Sequence, residues 1–173
     1  MRILSSAALL LILLLCTLPG TQAAAPPPAP PQASAPLVDT LAYQTPAAVQ
    51  TAWQPMWGTA PATIREVGGQ RMLRFPCNFT GTKIERAAWD HPVQLDLAVC
   101  RGVRFDCYCA DISPISRFSL YFHSGNGWYA FTFGPSSANG WGAVVLNKSD
   151  ALLEGTPAGW GTIDAIRISA WRG

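Results

Sequence analysis

The sequence predicts an all-β fold, a sandwich or barrel of about eight or nine strands with one short helix at its N-terminal side. From residue 37 onward, short runs of β-branched and aromatic residues are bounded by Gly, Pro, Asn and Asp, which is the pattern of strands joined by turns. These runs do not alternate with helical patterns, which disfavours a parallel α/β fold. The charged fraction is only 13% and the chain contains 7 Trp, a composition typical of a folded exported β-protein and not of a disordered chain.

The first 23 residues have the pattern of a secretory signal peptide. Arg2 supplies one positive charge, residues 9–15 are apolar, and Pro19-Gly20 breaks the apolar run. Thr21-Gln22-Ala23 then offers small residues at the two positions that signal peptidase reads. The apolar run is shorter than the ~20 residues that span a bilayer, although an uncleaved anchor is the alternative. We therefore expect a protein that is secreted, periplasmic or exposed at the cell surface.

Residues 24–36 form a linker and residues 37–173 form one domain. The segment AAPPPAPPQASAP contains almost only Ala and Pro, so it cannot bury apolar surface and favours an extended, semi-rigid path. The remaining residues are enough for a single domain with its own core.

Charge and motif content exclude several partners. The net charge is +2 and the charges are scattered, whereas a nucleic-acid binder usually carries a basic patch. Outside the leader, no apolar stretch is long enough for a membrane helix, so no membrane association is expected after signal cleavage. No glycine-rich phosphate loop is present, and we predict no cofactor. Oxygen-rich residues 147–150 could hold a structural calcium ion, but a solvated turn is favoured there.

Four cysteines remain after removal of the leader: Cys77, Cys100, Cys107 and Cys109. In an exported protein they could form two disulfides, with three pairings to choose from. Alternatively they are buried thiols, which behave as small apolar groups. A zinc site is disfavoured, because the Cys-x-Cys pair has no matching second pair and both histidines of the chain are isolated.

One helix is predicted near the start of the domain. Thr45 is a good N-cap, Pro46 suits the first helical position, and residues 47–53 tolerate a helix until Pro55 stops it. We expect Val49 and Trp53 to pack this helix against the β-structure.

The remaining elements are strands. Gly68-Gly69 predicts a two-residue hairpin turn, Asp90-His91-Pro92 predicts a break between strands, and Gly125-Asn126-Gly127 predicts a further turn. The predicted strands are 63–67, 71–75, 83–89, 93–97, 102–109, 116–122, 128–133, 141–146 and 163–171.

Alternation along these strands separates an apolar face from a face of aromatic and hydrogen-bonding side chains. Even-numbered residues of 118–122 and of 166–170 are apolar, as are odd-numbered residues of 103–109. The opposite faces carry Tyr, His, Arg, Asp, Ser and Trp. A sugar ring presents an apolar C–H surface and a fringe of hydroxyls, and such a mixed face suits both. The alternative is that these side chains only stabilise cross-strand packing. The predicted ligand-binding residues are Tyr108, Tyr121, His123, Asn126, Trp128 and Arg167.

The segment 124–129 carries the sharpest local signal for such a site. Two glycines allow tight backbone bends, and Trp128 and Tyr129 follow directly. In a regular strand, one member of this pair must face away from the core.

Catalytic motifs are weak. Glycoside hydrolysis requires two carboxylates at a set separation, and the ten acids of the chain form no recognisable pair. No Ser–His–Asp set or nucleophile elbow stands out. The sequence therefore favours a binding or accessory domain over an enzyme.

Four segments carry a resemblance to a known group: PCNFTGTKIER at 76–86, RGVRFDCYCAD at 101–111, FSLYFHSGNGWY at 118–129 and PAGWGTIDAIRISAWRG at 157–173. Together they resemble a jelly-roll domain of the galactose-binding-like superfamily. In particular, they resemble the N-terminal domain of large exported proteins of planctomycete-type bacteria, described as glycoside hydrolases of the β-galactosidase kind. The resemblance implies a jelly-roll β-sandwich that binds or positions glycans while another domain performs the chemistry.

Three functions are therefore open. The first is a secreted, non-catalytic carbohydrate-binding module of a glycan-processing protein, whose partners are a glycan or polysaccharide and a catalytic domain. The second is a structural or docking domain that packs against a catalytic domain and binds no sugar. The third is a fragment of a glycoside hydrolase, in which a cleft with two facing acids would be required.

Overall fold

The computed structural model describes residues 38–40, 42–134 and 140–173, and it is mostly β-structure, as predicted. The predicted leader and the whole of the predicted linker lie outside the described residues. The elements are helix α1 (Pro46–Ala52) and strands β1 (Gln54–Met56), β2 (Thr63–Val67), β3 (Gln70–Arg74), β4 (Arg86–Leu95), β5 (Gly102–Cys109), β6 (Ile115–Phe133), β7 (Gly140–Asn147), β8 (Leu152–Pro157) and β9 (Ile163–Arg172), with a 3-10 turn at Lys148–Asp150.

The strands form one large and two small antiparallel sheets in a sandwich-like arrangement. The large sheet has the order β1-β4-β9-β6-β8, and the small sheets are β2-β3 and β5-β7. Apolar side chains from both small sheets pack against one face of the large sheet, so the core lies between these layers. The opposite face of the large sheet points away from the core, and we call it the outer face.

Helix α1 follows the prediction closely. The Ala48 N–H donates to the Thr45 side chain at 3.2 Å, which caps the helix, and Pro46 is its first residue. Val49 is fully buried and Trp53 is 5% exposed, and both join the core as expected. The Gly68-Gly69 hairpin is also confirmed, since both glycines have positive φ and Val67 pairs with Gln70.

The predicted break at Asp90-His91-Pro92 is wrong, because β4 runs through it. Asp90 pairs with Arg167 of β9 on one side and with Gln54 of β1 on the other. Strand β1 begins at Gln54, opposite Asp90, so among the described residues β4 has no strand partner on that side at Pro92. A proline is tolerated where a strand has such a free edge.

The predicted turn at Gly125-Asn126-Gly127 is also wrong. The long strand β6 continues through it and changes partner, from β9 over Ile115–His123 to β8 over Gly125–Ala130. Gly125 has a φ of +62°, which bends the strand at the change of partner. At Gly127 the neighbouring strand is so close that a Cβ atom would come within 2.5 Å of the Thr156 nitrogen.

The bend in β6 reverses which residues face the core. Before it, Leu120 and Phe122 are core residues, and after it Tyr129 and Phe131 are. Consequently Tyr129 packs inward, while its neighbour Trp128 turns to the outer face. One member of this pair was expected to face away from the core, and the bend determines which one.

Two strands have no counterpart in the prediction. Strand β1 is three residues long and contains Pro55, which had been assigned only the role of ending the helix. Strand β8 forms the other edge of the large sheet, and all of its residues before Pro157 are exposed. Without a buried side, a strand shows no alternation in its sequence, so the pattern could not reveal it.

The four cysteines are free thiols, each half-buried. Burial and, to a smaller extent, like-charge repulsion from Cys109 together raise the pKa of Cys77 to about 11. Burial also raises the pKa of the Cys107 thiol. Since the thiolate is the reactive form, these thiols should be poor nucleophiles at neutral pH.

We therefore expect the alkylation rate of Cys77 by iodoacetamide to keep rising up to about pH 11 in the folded, reduced chain. In the same chain unfolded in urea, the rate should level off at the ordinary thiol pKa of about 8.5. Mass spectrometry of the alkylated peptides measures both profiles. Identical profiles for the folded and unfolded chain would contradict the burial of this thiol.

Candidate functional site

The outer face of the large sheet collects a group of aromatic and charged side chains. Strand register brings them together: Tyr121 lies opposite Arg167, Arg167 lies opposite Asp90, and Trp128 lies opposite Glu154. The residues on β4, β6 and β9 occupy strand positions whose neighbours in sequence face the core, whereas Glu154 lies on the exposed edge strand β8. The outer face is therefore a consequence of the strand alternation, and its rigidity comes from three central strands.

Tryptophan and arginine side chains alternate across this face in a continuous row, which we call the Trp–Arg stack. The distance from each guanidinium carbon to the centre of the next indole ring lies between 4.3 and 5.3 Å, within the range of cation–π attraction. In spatial order, the members of the Trp–Arg stack are Trp128, Arg167, Trp57, Arg86, Trp171 and Arg117.

Trp57 occupies the centre of the stack and a strained backbone position. Its φ is +52°, and among the described residues Trp57 is the one non-glycine residue with a positive φ. Gly58, which follows it, has a φ of +76°. The Thr59 N–H donates to the Met56 carbonyl at 2.9 Å, which closes a tight turn. Positive φ at both central positions suits Asn or Gly, and a bulky residue there costs roughly 1–2 kcal/mol.

The strain at Trp57 holds an indole over two guanidinium groups. Its ring centre is 5.3 Å from the guanidinium carbons of both Arg86 and Arg167. At the same time 56% of the Trp57 surface is exposed, so the ring is open to a ligand on its far side. Strained residues of this kind concentrate at functional sites.

Arg167 is fixed at the centre of the outer face by Asp90. Its Nε and Nη2 atoms donate to the two carboxylate oxygens at 2.5 and 2.7 Å, a bidentate pair whose side chains are 17% and 22% exposed. The hydrogen bonds to Asp90 raise the pKa of Arg167, so the group keeps its charge. The guanidinium plane is thereby held between the Trp57 and Trp128 rings.

Arg86 is enclosed by rings and has no carboxylate partner in the described part of the chain. Its guanidinium carbon lies 5.3, 5.0 and 4.6 Å from the Trp57, Tyr121 and Trp171 ring centres. Its Nε donates to Ser169 Oγ at 3.1 Å, whereas Nη2 is buried and has no hydrogen-bond partner among the described residues. Desolvation by burial lowers the pKa of Arg86.

His123 extends the site toward the β8 edge. Its Nδ1 lies 2.5 Å from Asp164 Oδ1, which orients the imidazole, and its ring centre lies 4.5 Å from that of Trp128. Tyr121 meets the Trp128 ring edge-on at 6.1 Å and is only 8% exposed. Tyr121 therefore supports the exposed rings from below and contributes little surface itself.

Four of the six predicted ligand-binding residues come together here: Tyr121, His123, Trp128 and Arg167. Asn126 lies on β6 two residues before Trp128, where its backbone pairs with Thr156 and its side chain is exposed. Tyr108 lies elsewhere, on the small β5-β7 sheet beside Trp141, with the core between it and the outer face.

Sequence reasoning missed Trp57, Arg86, Asp90 and Arg117 as members of the site. Asp90 had been assigned to a break between strands, and Trp57 lay outside every predicted helix and strand. Trp171 had been placed on the outward side of the last strand, but without a role. The signal that could have indicated Trp57 is the dipeptide Trp57-Gly58. It puts a large aromatic residue at a turn position where Asn or Gly is normal.

The described residues contain no group of three or more His, Cys, Asp or Glu side chains that could hold a metal ion. At residues 147–150, Asn147 and Ser149 both donate to the Asp150 carboxylate. None of the described helices is long and apolar enough to cross a membrane.

Comparison with known proteins adds no assignment. No protein-family model, no curated protein and no solved structure matches the chain.

Proposed function

We propose that the protein is a secreted, non-catalytic carbohydrate-binding module with a jelly-roll β-sandwich, and that the outer face binds the glycan. The observation that carries this proposal is the Trp–Arg stack, with Trp57 held exposed at its centre by a strained turn. A row of flat rings interrupted by planar donors matches the two surfaces of a sugar chain.

The chemical fit has two parts. Indole rings offer apolar faces to the C–H side of a pyranose, while guanidinium edges donate to hydroxyl oxygens. Carboxylates at the same face, those of Asp90, Asp164 and Glu154, can accept hydrogen bonds from hydroxyl groups. Because Asp90 and Asp164 are already bound to Arg167 and His123, their positions are fixed before the ligand arrives, which reduces the entropic cost of binding.

The same arrangement favours binding over hydrolysis. Glycoside hydrolysis needs one carboxylic acid that donates a proton and one carboxylate that acts as general base or nucleophile. On the outer face, Asp90 accepts two hydrogen bonds from Arg167, and Asp164 accepts one from His123. Among the described residues of this face, Glu154 is then a single free carboxylate and not one of a pair. We therefore assign this chain an accessory role, with the chemistry performed by a catalytic domain, as the resemblance to exported β-galactosidase-like proteins implies. The leader pattern at residues 1–23 supports export.

A structural or docking role is the competing proposal. It is favoured by one observation: each guanidinium of the Trp–Arg stack is already covered by at least one ring, so the stack stabilises the sheet without any ligand. In that case, the exposed side of Trp57 would be covered by a neighbouring domain.

A binding screen of the full chain on immobilised polysaccharides and a glycan array separates the two proposals. The carbohydrate-binding proposal predicts saturable retention on a restricted set of glycans that the free oligosaccharide competes away. A well-folded chain that no glycan retains would contradict it and leave the docking role.

The Trp57→Asn variant separates binding from stability. Asn suits the turn, so roughly 1–2 kcal/mol of strain is relieved. The loss of two partly exposed cation–π contacts costs about 0.5–1 kcal/mol each. Because this loss and the relieved strain nearly cancel, the free energy of unfolding should change by less than about 1 kcal/mol. Glycan affinity should nevertheless fall by about tenfold, the equivalent of 1.4 kcal/mol.

Urea unfolding and glycan titration of the same preparation measure both quantities. Trp57→Gly, which also suits positive φ, is the matched variant. It should show the same small change in stability and the same loss of glycan affinity as Trp57→Asn. A variant that unfolds readily would show that Trp57 is a structural residue, and a folded variant that binds glycan as the parent chain does would exclude Trp57 from the binding site.

A further inference from the structure

The small β5-β7 sheet carries a second aromatic–polar surface, on the opposite side of the core from the outer face. Register pairs Tyr108 with Trp141, Asp106 with Ala143 and Arg104 with Val145. The alternate residues of both strands, such as Phe105 and Val144, pack into the core. We call the outward side of this sheet the second face.

The two rings of the second face are open to solvent. Tyr108 is 41% exposed and Trp141 39% exposed, and their ring centres lie 5.3 Å apart at an angle of 57°. Large aromatic side chains are normally buried. On the other face of the same two strands, side chains such as Phe105 do pack into the core, whereas Tyr108 and Trp141 face solvent. Side by side, the rings form a bent apolar wall of the size of one sugar ring.

Beside this wall lies a shallow depression of about 380 Å³. Trp141 forms its side, and Gly142 and Ala143 form a floor without long side chains, so a ligand can approach the backbone. Asp106 and Gln70, the first residue of β3, complete the lining. The Asp106 carboxylate makes no hydrogen bond or ion pair with the residues that the structure describes, and it can accept hydrogen bonds from ligand hydroxyls.

We propose that the second face is an independent binding site for a neutral pyranose unit. The unit would stack on Trp141, and two adjacent hydroxyls would donate to Asp106 while Gln70 contributes one donor and one acceptor. A uronic acid would be disfavoured, because its carboxylate would approach the Asp106 carboxylate. The proposal shares with the proposed function only the class of ligand, and it rests on different residues.

Two sites on opposite sides of one domain would make the protein bivalent. Binding to a long polysaccharide would then exceed the affinity of either site, since the second contact occurs at high effective concentration. A bivalent module could also link two glycan strands.

Titration calorimetry of the full chain with cellotetraose, β-1,4-galactotetraose and mannotetraose tests this proposal through the number of bound oligosaccharides. The parent chain should bind two molecules of at least one probe. Both Trp141→Ala and Trp128→Ala should bind one, and the double variant none. Retention on the matching polysaccharide should weaken by at least about tenfold in each single variant.

The variants distinguish failure of this proposal from failure of the proposed function. One bound oligosaccharide that Trp141→Ala leaves intact and Trp128→Ala removes would overturn the second site alone. The reverse would overturn the outer face as a glycan site and retain the second face. No binding of any tetrasaccharide by the parent chain would overturn both.

Two further variants keep the result independent of folding. Asp106→Asn preserves shape and should weaken the second site by about tenfold, the effect expected for loss of a charged acceptor. Val145→Ala changes an exposed residue of the same face outside the depression and should leave both sites unchanged. Equal losses in Asp106→Asn and Val145→Ala would contradict the assignment.

Discussion

The Asp90→Ala variant is expected to lose about 3 kcal/mol of unfolding free energy, because it leaves the half-buried Arg167 guanidinium without its carboxylate partner. The two side chains are only 17% and 22% exposed and share two short hydrogen bonds. The Arg167 guanidinium also packs between the Trp57 and Trp128 rings and keeps them in position. Glycan affinity should therefore fall together with stability. Urea unfolding followed by tryptophan fluorescence measures the stability change.

Glu85→Ala is the matched control for Asp90→Ala. Glu85 also pairs with an arginine, but it lies 3.7 Å from Arg172 and its side chain is 78% exposed. Arg172 keeps its hydrogen bonds to the Phe79 and Thr82 carbonyls without it. The control should therefore lose less than about 1 kcal/mol. Equal losses in the two variants would show that the Asp90 pair contributes no more than an exposed ion pair.

The Trp128→Ala variant should lose about 30-fold in glycan affinity, the equivalent of roughly 2 kcal/mol for an aromatic anchor at a binding site. Trp128 ends the Trp–Arg stack, and its ring contacts Arg167, His123 and Tyr121. Truncation removes one sugar platform and the ring contacts of three neighbouring side chains at once. Titration with the glycan that the parent chain retains measures the loss.

Leu152→Ala controls for nonspecific effects near Trp128. Leu152 lies on the adjacent strand β8 and is 69% exposed, but it has no ring to offer a sugar. The Leu152→Ala variant should bind the glycan with the affinity of the parent chain. The Trp128→Phe variant should recover part of the affinity that Trp128→Ala loses. A Trp128→Ala variant with full affinity would exclude this end of the outer face from the site.

The sequence predicted those parts of the structure in which one pattern acts locally. Strand β5, helix α1 with its Thr45 cap and the Gly68-Gly69 hairpin all match the prediction. Each depends on alternation, on a capping side chain or on a turn preference, and all of these act within a few residues. The inward positions of β6 before the bend and of β9 followed from the same alternation.

The errors arose where tertiary pairing overrides local signals. Pro92 normally breaks a strand, but β4 has a free edge there, which the sequence of β4 does not reveal. Gly125 and Gly127 normally indicate a turn, but they carry β6 from one partner to another. The strongly exposed strand β8 lacks alternation altogether.

The candidate site was predicted in part for the same reason. Tyr121, His123 and Arg167 followed from alternation in their strands, and Trp128 is the member of its pair that faces away from the core. Trp57 and Arg86 complete the stack from a tight turn and from another strand, across distances that no local pattern encodes. Only the three-dimensional register brings these side chains within 5.3 Å of one another.

The central claim, that the outer face binds glycans, is tested most directly by NMR of the seven indole N–H groups of the full chain during titration with a retained oligosaccharide. Single Trp→Phe variants assign the signals. The proposal predicts saturable shifts for Trp57, Trp128 and Trp171, with the buried Trp53 and Trp89 unchanged. No saturable shift at Trp57 and Trp128, with the chain folded, would contradict it.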